Sequence, residues 1–237
     1  MHAANYKNTI LSRLAPETIE RLSLTLVKFD LGHEIEYPGT PIRNVIFVEE
    51  GMASMTTTFQ DGAQVEVGMF GYESVIGVSA LMGTKLSLNR VYTQVEGCGY
   101  LSPLEAARAE FGRGGLFQRL ALRYVQAQLV QTAQSAGCNA KHHLEQRLAR
   151  WLLITSDRVH ESSFFMSQEF LADMVGNTRS TVSRVASTLK DEGLINYSRG
   201  QVSILDLPGL RRRSCECYGI IKTHLDSYAE FEDDRTK

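Results

Sequence analysis

The segment SQEFLADMVGNTRSTVSRVASTLKDEGLI, residues 167–195, carries the most specific pattern in this 237-residue chain. Apolar residues recur at helical spacing on both sides of Gly176, and glycine adopts the left-handed conformation of a tight turn without strain. The pattern therefore predicts two helices joined at that glycine, with Thr178 capping the second. Small Ala172 and apolar Val182 fall where the two helices must approach each other. This spacing predicts a helix-turn-helix.

The second predicted helix buries one apolar face and leaves a small, polar and cationic face exposed. An arginine in the DNA major groove can donate two parallel hydrogen bonds to guanine, so we predict base contacts from Arg179, Ser180 and Arg184. Hydroxyl and amide side chains near helix starts suit phosphate oxygens. The backbone contacts predicted on this ground are Gln168, Thr178, Thr181 and Ser183. The alternative, a solvated helix whose arginines meet only water, leaves the joint spacing of turn, cap and apolar positions unexplained.

A hairpin is predicted directly downstream, in INYSRGQVSI, residues 195–204. Apolar residues alternate inward along its two strands, around a turn at 198–201. The hairpin supplies a wing with Arg199 at its tip, which we predict as a phosphate contact. The run Arg211–Arg213 is interpreted as a solvated charge run, with backbone phosphate contact as the alternative.

The N-terminal part, residues 1–112, is predicted to be an antiparallel β-roll. Short β-prone runs from Phe29 to Ser102 are separated by glycines at regular intervals, and Asp61-Gly62 is a good hairpin turn. Ahead of them, apolar residues from Ile10 to Leu26 recur at helical spacing with Pro16 at a helix start, which predicts a helical lead-in. The fold class is α+β.

Residues 116–136 contain neither proline nor glycine and predict one long helix, within a linking region at 113–137. Two apolar stripes require two partners. The first, which is to pack on the roll, comprises Phe117, Leu120, Tyr124 and Ala127. The second comprises Leu122, Val125, Leu129 and Ala136, and is available to the same helix of a second chain; the alternative is burial on both sides within one subunit. A hinge is expected at 137–141, before a DNA-binding domain at 138–237.

Composition excludes several classes of protein. No run approaches the roughly 20 apolar residues that span a bilayer, so a cytoplasmic protein with no membrane partner is expected. The net charge of -2 argues against a wholly basic nucleic-acid coat protein. Four cysteines, Cys98, Cys138, Cys215 and Cys217, are too few for a disulfide framework. Cys215 and Cys217 are spaced for a metal or redox pair but have no cysteine or histidine nearby in the sequence, so we expect packing thiols, no metal and no cofactor.

The segments LEQRLARWLL, residues 144–153, and QEFLADMVGNTRSTVSRVASTLKDEGLI resemble the DNA-binding domain of the Crp/Fnr family of bacterial transcription regulators. The glycine-punctuated N-terminal half is similar to that family's cyclic-nucleotide-binding roll. The resemblance implies a homodimer that binds a near-palindromic site on double-stranded DNA and works with RNA polymerase. It also implies a recognition helix that begins Arg-Glu, whereas Ser180 follows Arg179 here, so the half-site should differ.

The sensor half departs from the family pattern. The resemblance implies a Gly-Glu pair for the ribose, which aligns with Gly77 and Val78, and an Arg-Ser pair for the cyclic phosphate, which aligns with Leu86 and Ser87. Leucine offers a phosphate neither charge nor donor, so we predict that cyclic nucleotide recognition is lost and that the effector is another one or none. The alternative keeps cyclic AMP through Lys85 or Arg90. The first cysteine is Cys98, so the N-terminal cysteine cluster of iron–sulfur members is missing.

The sequence argues against two other classes of function. An enzyme or small-molecule-binding roll requires clustered metal ligands or catalytic groups, and the N-terminal half has only His2 and His33 as histidines. No catalytic residue is therefore predicted. A purely structural protein that assembles through the long helix leaves the helix-turn-helix and the wing without a role.

Overall fold

A computed structural model describes residues 5–230 and places three parts in sequence: an antiparallel β-roll, a long helix and a winged helix-turn-helix. The predicted α+β class is confirmed. His2, one of the two histidines of the N-terminal half, lies outside the described residues. No helix among those described is long and apolar enough to cross a membrane.

The roll is one antiparallel sheet in which the two longest strands pair along most of their length. Its strands are β1 (Thr25–Phe29), β2 (Glu34–Glu36), β3 (Asn44–Thr58), β4 (Gln64–Phe70), β5 (Val75–Ile76) and β6 (Arg90–Pro103). The order is β1-β6-β3-β4, with β2 beside β6 and β5 beside β3. The predicted turn at Asp61-Gly62 joins β3 to β4, and Gly62 has φ +85°.

Short helices surround the roll. They are a 3-10 turn (Leu11–Arg13), α1 (Pro16–Arg21), α2 (Val78–Leu81) and α3 (Leu104–Gly112). Pro16 starts α1 as predicted, since its missing N–H costs nothing in a first turn. The expectation that the helical pattern continues to Leu26 is wrong. Ser23 turns the chain with φ +51°, and Leu26 lies in β1 with its side chain exposed.

The long helix α4 spans Leu116–Lys141. The hinge expected from 137 to 141 is wrong, because the helix continues through Gly137 and its last backbone bond is donated by His142 N to Cys138 O. All four residues of the first stripe are buried. In the second stripe Leu122 is 45% and Leu129 67% exposed, so the two-sided burial within one subunit is also wrong.

The C-terminal part follows α4 without a break in packing. Its elements are α5 (Leu144–Val159), β7 (Ser163–Phe165), α6 (Gln168–Met174), α7 (Arg179–Asp191), β8 (Ile195–Ser198), β9 (Gln201–Ile204), α8 (Leu207–Arg213) and α9 (Cys217–Ser227). The wing is a three-stranded sheet of order β7-β9-β8, in which β7 was not predicted. The division at 1–112, 113–137 and 138–237 stays a prediction.

Buried polar contacts join α5 to the roll. The Arg158 guanidinium donates from Nε to Glu73 Oε1 at 2.7 Å, and both side chains are almost fully buried. Arg158 Nη2 also donates to Gln131 Oε1 of α4 at 2.7 Å. Trp151 Nε1 donates to Glu66 Oε1 of β4 at 3.0 Å. The C-terminal part is thus packed on the roll through satisfied polar groups inside a continuous apolar core.

Candidate nucleic-acid interface

The turn between α6 and α7 has the geometry that the sequence predicts. Gly176 has φ +59°, and the following amide, Asn177 N, donates back to Ala172 O at 2.9 Å. This bond satisfies a carbonyl near the end of α6 that has no partner within the helix. Ser167 caps the start of α6 by accepting from Phe170 N. Both ends of α6 are therefore held by hydrogen bonds, and the second of these ends leads into α7.

Helix α7 is capped and amphipathic. Thr178 Oγ1 accepts from Thr181 N at 3.4 Å and lies 2.9 Å from Thr181 Oγ1. Val182, Ala186 and Leu189 are buried against the neighbouring helices. The residues predicted to contact bases, Arg179, Ser180 and Arg184, are all exposed. The structure thus places those three side chains on a solvent-facing surface held by a rigid support.

The two arginines of α7 are without a carboxylate partner in the part of the chain that the structure describes. Neither Arg179 nor Arg184 forms an ion pair with any residue of 5–230. Burial raises the pKa of Tyr197 in β8 and the Arg179 charge opposes this, so Arg179 lies within electrostatic range of the wing. The face between recognition helix and wing is therefore cationic, although the chain as a whole has a net charge of -2.

The wing has a tight two-residue turn. Ser198 pairs with Gln201 across it, and both turn residues have positive φ, +51° for Arg199 and +82° for Gly200. This combination matches the right-handed twist of a hairpin. Tyr197 Oη donates to Met166 O at 2.9 Å and ties the wing to the segment before α6. Arg199 is exposed at the tip, as predicted.

The remaining predicted backbone contacts surround the same face. Thr178 is exposed, and Gln168, Thr181 and Ser183 are half-buried near the starts of α6 and α7. Arg211, Arg212 and Arg213 are all exposed, as expected of a solvated charge run. Arg213 pairs with Glu145 at 3.2 Å and with Glu192, and so connects α8 to α5 and to the end of α7.

The sensor-half positions meet only in part. Gly77, Val78 and Ser87 line one cavity of about 170 Å³, whereas Leu86 is exposed and does not line it. Among the described residues that line this cavity, Glu36 is the only ionisable one. Its carboxylate accepts from Ser87 Oγ at 2.5 Å, and burial raises the pKa of Glu36. Arg90 is held elsewhere, by Glu34 at 3.0 Å and over the Tyr92 ring.

The expectation that Cys215 and Cys217 lack metal-ligand partners is wrong. Folding brings Cys138 and His142 beside them, with one ligand atom from each of the four within 4.8 Å of the others. The partners come from the end of α4, far away in sequence. A signal was nevertheless present: Cys138 and His142 are four residues apart, the spacing of neighbours on one helical face.

Comparisons with known proteins agree with this geometry. Residues 146–213 match the Crp-like helix-turn-helix domain. The chain is 24% identical to the global nitrogen regulator of Synechococcus elongatus over 214 residues, 84% of this chain and 94% of that protein. Over 97 residues it is 34% identical to the transcriptional regulatory protein Btr of Bordetella pertussis, 38% of this chain and 40% of that one.

Solved structures share the fold over most of the chain. FixK2 from Bradyrhizobium japonicum superposes with a TM-score of 0.70 at 18% identity, over 81% of this chain and 98% of that one. A Crp/Fnr-family regulator from Eubacterium rectale gives 0.67 at 16%, over 84% and 94%. An exposed cationic helix and wing on this fold define a DNA-binding transcription regulator. The chain therefore carries a Crp-like helix-turn-helix domain and shares the fold of Crp/Fnr-family regulators.

Proposed function

We propose that this regulator acts as a homodimer on a near-palindromic operator and does not use a cyclic nucleotide. The observation that carries the proposal is the face formed by α7 and the wing. Arg179 and Arg184 project from a capped helix, and no carboxylate among residues 5–230 pairs with them, so their guanidinium groups are available to DNA.

Base contacts are assigned to the first two turns of α7. An arginine can donate both parallel bonds to guanine O6 and N7, whereas the Ser180 hydroxyl discriminates weakly among bases. The backbone contacts come from Thr178, Thr181, Ser183, Gln168 and, on the wing, Arg199. These groups fix the register of α7 in the groove and add salt-dependent affinity that does not depend on sequence.

The dimer is proposed to form through α4. Leu122, Val125 and Leu129 recur at the three- and four-residue spacing of a two-helix seam, and the two leucines are exposed in the single chain. A two-fold axis along this seam repeats the recognition helix on the second chain. Two-fold protein symmetry then requires two-fold symmetry in the operator.

The cavity of the roll supports the loss of cyclic nucleotide binding. A cyclic phosphate needs a cationic, hydrogen-bonded partner, and no Lys or Arg is among the described residues that line the cavity. Glu36 is there instead and offers a phosphate no positive charge. Lys85 does not line the cavity and Arg90 is paired with Glu34, so the cyclic AMP alternative has no cation in place. Calorimetry with cyclic AMP and cyclic GMP should give no binding heat; a saturating heat with either would restore that alternative.

The site residues carry no catalytic constellation, and we propose a non-enzymatic protein that acts in the cytoplasm together with RNA polymerase. The Crp-like helix-turn-helix domain and the exposed cationic face of α7 support this proposal.

Selection on randomised duplex DNA without added nucleotide tests the proposal. Enrichment of a two-fold-symmetric site is expected. Arg179→Ala and Arg184→Ala should each weaken binding to that site by about 1–3 kcal/mol and relax specificity at one position. Arg43→Ala removes an exposed arginine just before β3 of the roll, outside α7 and the wing, and is the matched control. Full affinity in both α7 variants would refute this recognition surface.

A further inference from the structure

Three cysteines and one histidine meet where the end of α4 packs on the segment between α8 and α9. Cys138 lies on the last turn of α4 and His142 directly follows that helix. Cys215 and Cys217 precede and begin α9. The three cysteines are at most 4% exposed and form an apolar cluster apart from the main core. The His142 side chain is 15% exposed.

Two of the distances between the four ligand atoms match the edges of a metal-centred tetrahedron, and all of them are within 4.8 Å. Cys138 Sγ and Cys215 Sγ are 3.5 Å apart, and Cys217 Sγ and His142 Nδ1 are also 3.5 Å apart. Metal bonds of 2.3 Å to sulfur and 2.0–2.1 Å to nitrogen place tetrahedral neighbours roughly 3.5–3.8 Å from each other. The four atoms therefore need only small shifts to share one ion.

The surroundings of these four residues orient them as metal ligands are oriented. The second ring nitrogen of the histidine, His142 Nε2, lies 3.3 Å from Glu216 Oε2. A carboxylate there fixes the tautomer that carries its proton on Nε2 and leaves the Nδ1 lone pair directed at the cysteines. Gln134 Nε2 donates to Cys217 Sγ at 3.1 Å. Both contacts are of the kind that orient the side chains that bind a metal directly.

Buried positive charge completes the environment. Arg150 is 6% exposed and donates to Ser135 Oγ on the turn of α4 that precedes Cys138. Its charge acts on Cys138. Three thiolates around one dication leave one net negative charge, and a buried charge requires a partner of opposite sign. The guanidinium of Arg150 supplies that partner.

We propose that Cys138, His142, Cys215 and Cys217 form a closed tetrahedral site for one Zn²⁺ ion. Three thiolates and one imidazole suit this borderline-soft cation, and four protein ligands leave no open position for a reacting molecule. An iron–sulfur cluster would distribute its ligands over several irons, whereas all four atoms here lie within 4.8 Å of one another. The ion ties the C-terminal end of α4 to α8 and α9, across the boundary between the dimer helix and the DNA-binding part.

Metal analysis of the full-length protein, purified under reducing conditions, is the first test. About one zinc per chain is expected. Cys138→Ser, Cys217→Ser and His142→Ala should each lose the metal. Cys98→Ser is the matched control, because Cys98 lies in β6 outside the cluster, and it should keep the wild-type content. Metal-free wild-type protein that also fails to take up added Zn²⁺ would overturn the proposal.

A second measurement covers variants that fail to fold. Wild-type protein stripped of metal and titrated with Co²⁺ should develop the strong visible bands of tetrahedral cobalt together with a thiolate charge-transfer band, saturating at one equivalent. Glu216→Gln should weaken the metal affinity about 10–100-fold while the bands persist. A weak octahedral spectrum, or a Cys138–Cys215 disulfide found by mass spectrometry in place of metal, would contradict the site.

Discussion

At the scale of single residues, Glu66 is the most perturbed acid whose cause is clear. It is buried beneath α5, where its carboxylate accepts from Trp151 Nε1 at 3.0 Å and from the Ser54 hydroxyl. Burial disfavours the charged carboxylate and raises its pKa to about 7, although both hydrogen bonds and the charges of Arg150 and Arg158 oppose this. One acid of the interface between roll and DNA-binding part thus titrates near neutrality.

The sign of the resulting pH dependence follows from proton linkage. Unfolded, Glu66 loses its proton near the ordinary value of 4.5, whereas folded it keeps the proton until about pH 7. The contribution of Glu66 to the free energy of unfolding is therefore fully present below pH 4.5, and it is lost as the pH rises to about 7. The Glu66→Gln variant keeps a neutral acceptor for Trp151 and should be more stable than wild type at pH 8, by about 3 kcal/mol at 1.36 kcal/mol per pKa unit.

Trp151 is the only tryptophan in the chain and reports this titration directly. Its fluorescence should change with a midpoint near pH 7 in the wild type and stay flat across that range in Glu66→Gln. Urea unfolding at pH 5 and pH 8 measures the stability difference. An unchanged fluorescence titration in the variant would assign the midpoint to another group.

At the scale of elements, the turn between α6 and α7 depends on a backbone conformation and on a contact. Gly176 has φ +59°, and a Cβ there would lie 3.2 Å from Val65 Cγ2 of the roll. Gly193, after α7, has φ +72° with open space around it. Gly193→Ala should cost about 1–2 kcal/mol from the left-handed backbone alone. Gly176→Ala should cost that amount and more, since the contact is added.

The matched pair separates the two effects by denaturant unfolding. Adding Val65→Ala to Gly176→Ala should recover the excess and bring the loss down to that of Gly193→Ala. Equal losses in the two single variants, with no recovery in the double variant, would show that the turn between α6 and α7 does not contact the roll in solution.

The elements that the sequence predicts best are those fixed by neighbours in the chain. The turn glycine, the Thr178 cap and the apolar face of α7 each depend on residues only a few positions apart. The helix-turn-helix and its exposed arginines could therefore be predicted from the sequence. The end of α4 was not predicted, because Gly137 was interpreted as a breaker. A single glycine within a helix costs about 1 kcal/mol, and packing of α4 on α9 outweighs it.

Contacts between distant segments account for what the sequence left undetermined. Cys138 and Cys215 are 77 residues apart, and His142 and Cys217 are 75 apart. No local pattern brings such residues together, so the cysteines were interpreted as packing thiols. The ion pair of Glu73 with Arg158 was missed for the same reason, since 85 residues separate them.

At the scale of the whole molecule, that ion pair joins the roll to the DNA-binding part. Arg158→Ala leaves the Glu73 carboxylate buried without its cation and should cost about 3–5 kcal/mol in unfolding free energy. The double variant Glu73→Leu/Arg158→Met replaces the pair with apolar groups and should recover most of that loss. If the double variant were as unstable as the single one, packing rather than charge would be the cause.

The exposed stripe of α4 is the proposed dimer seam, so it bears on the assembly of the whole molecule. Leu122→Glu/Leu129→Glu places two carboxylates where two copies of the helix are proposed to meet, so like charges face each other across the seam. We expect a monomer by light scattering and a large loss of affinity for a symmetric operator, with binding to a single half-site less affected. Leu26→Glu alters an exposed leucine on the roll and is the control, expected to remain dimeric. A dimer in the double variant would place the two-fold axis on another surface.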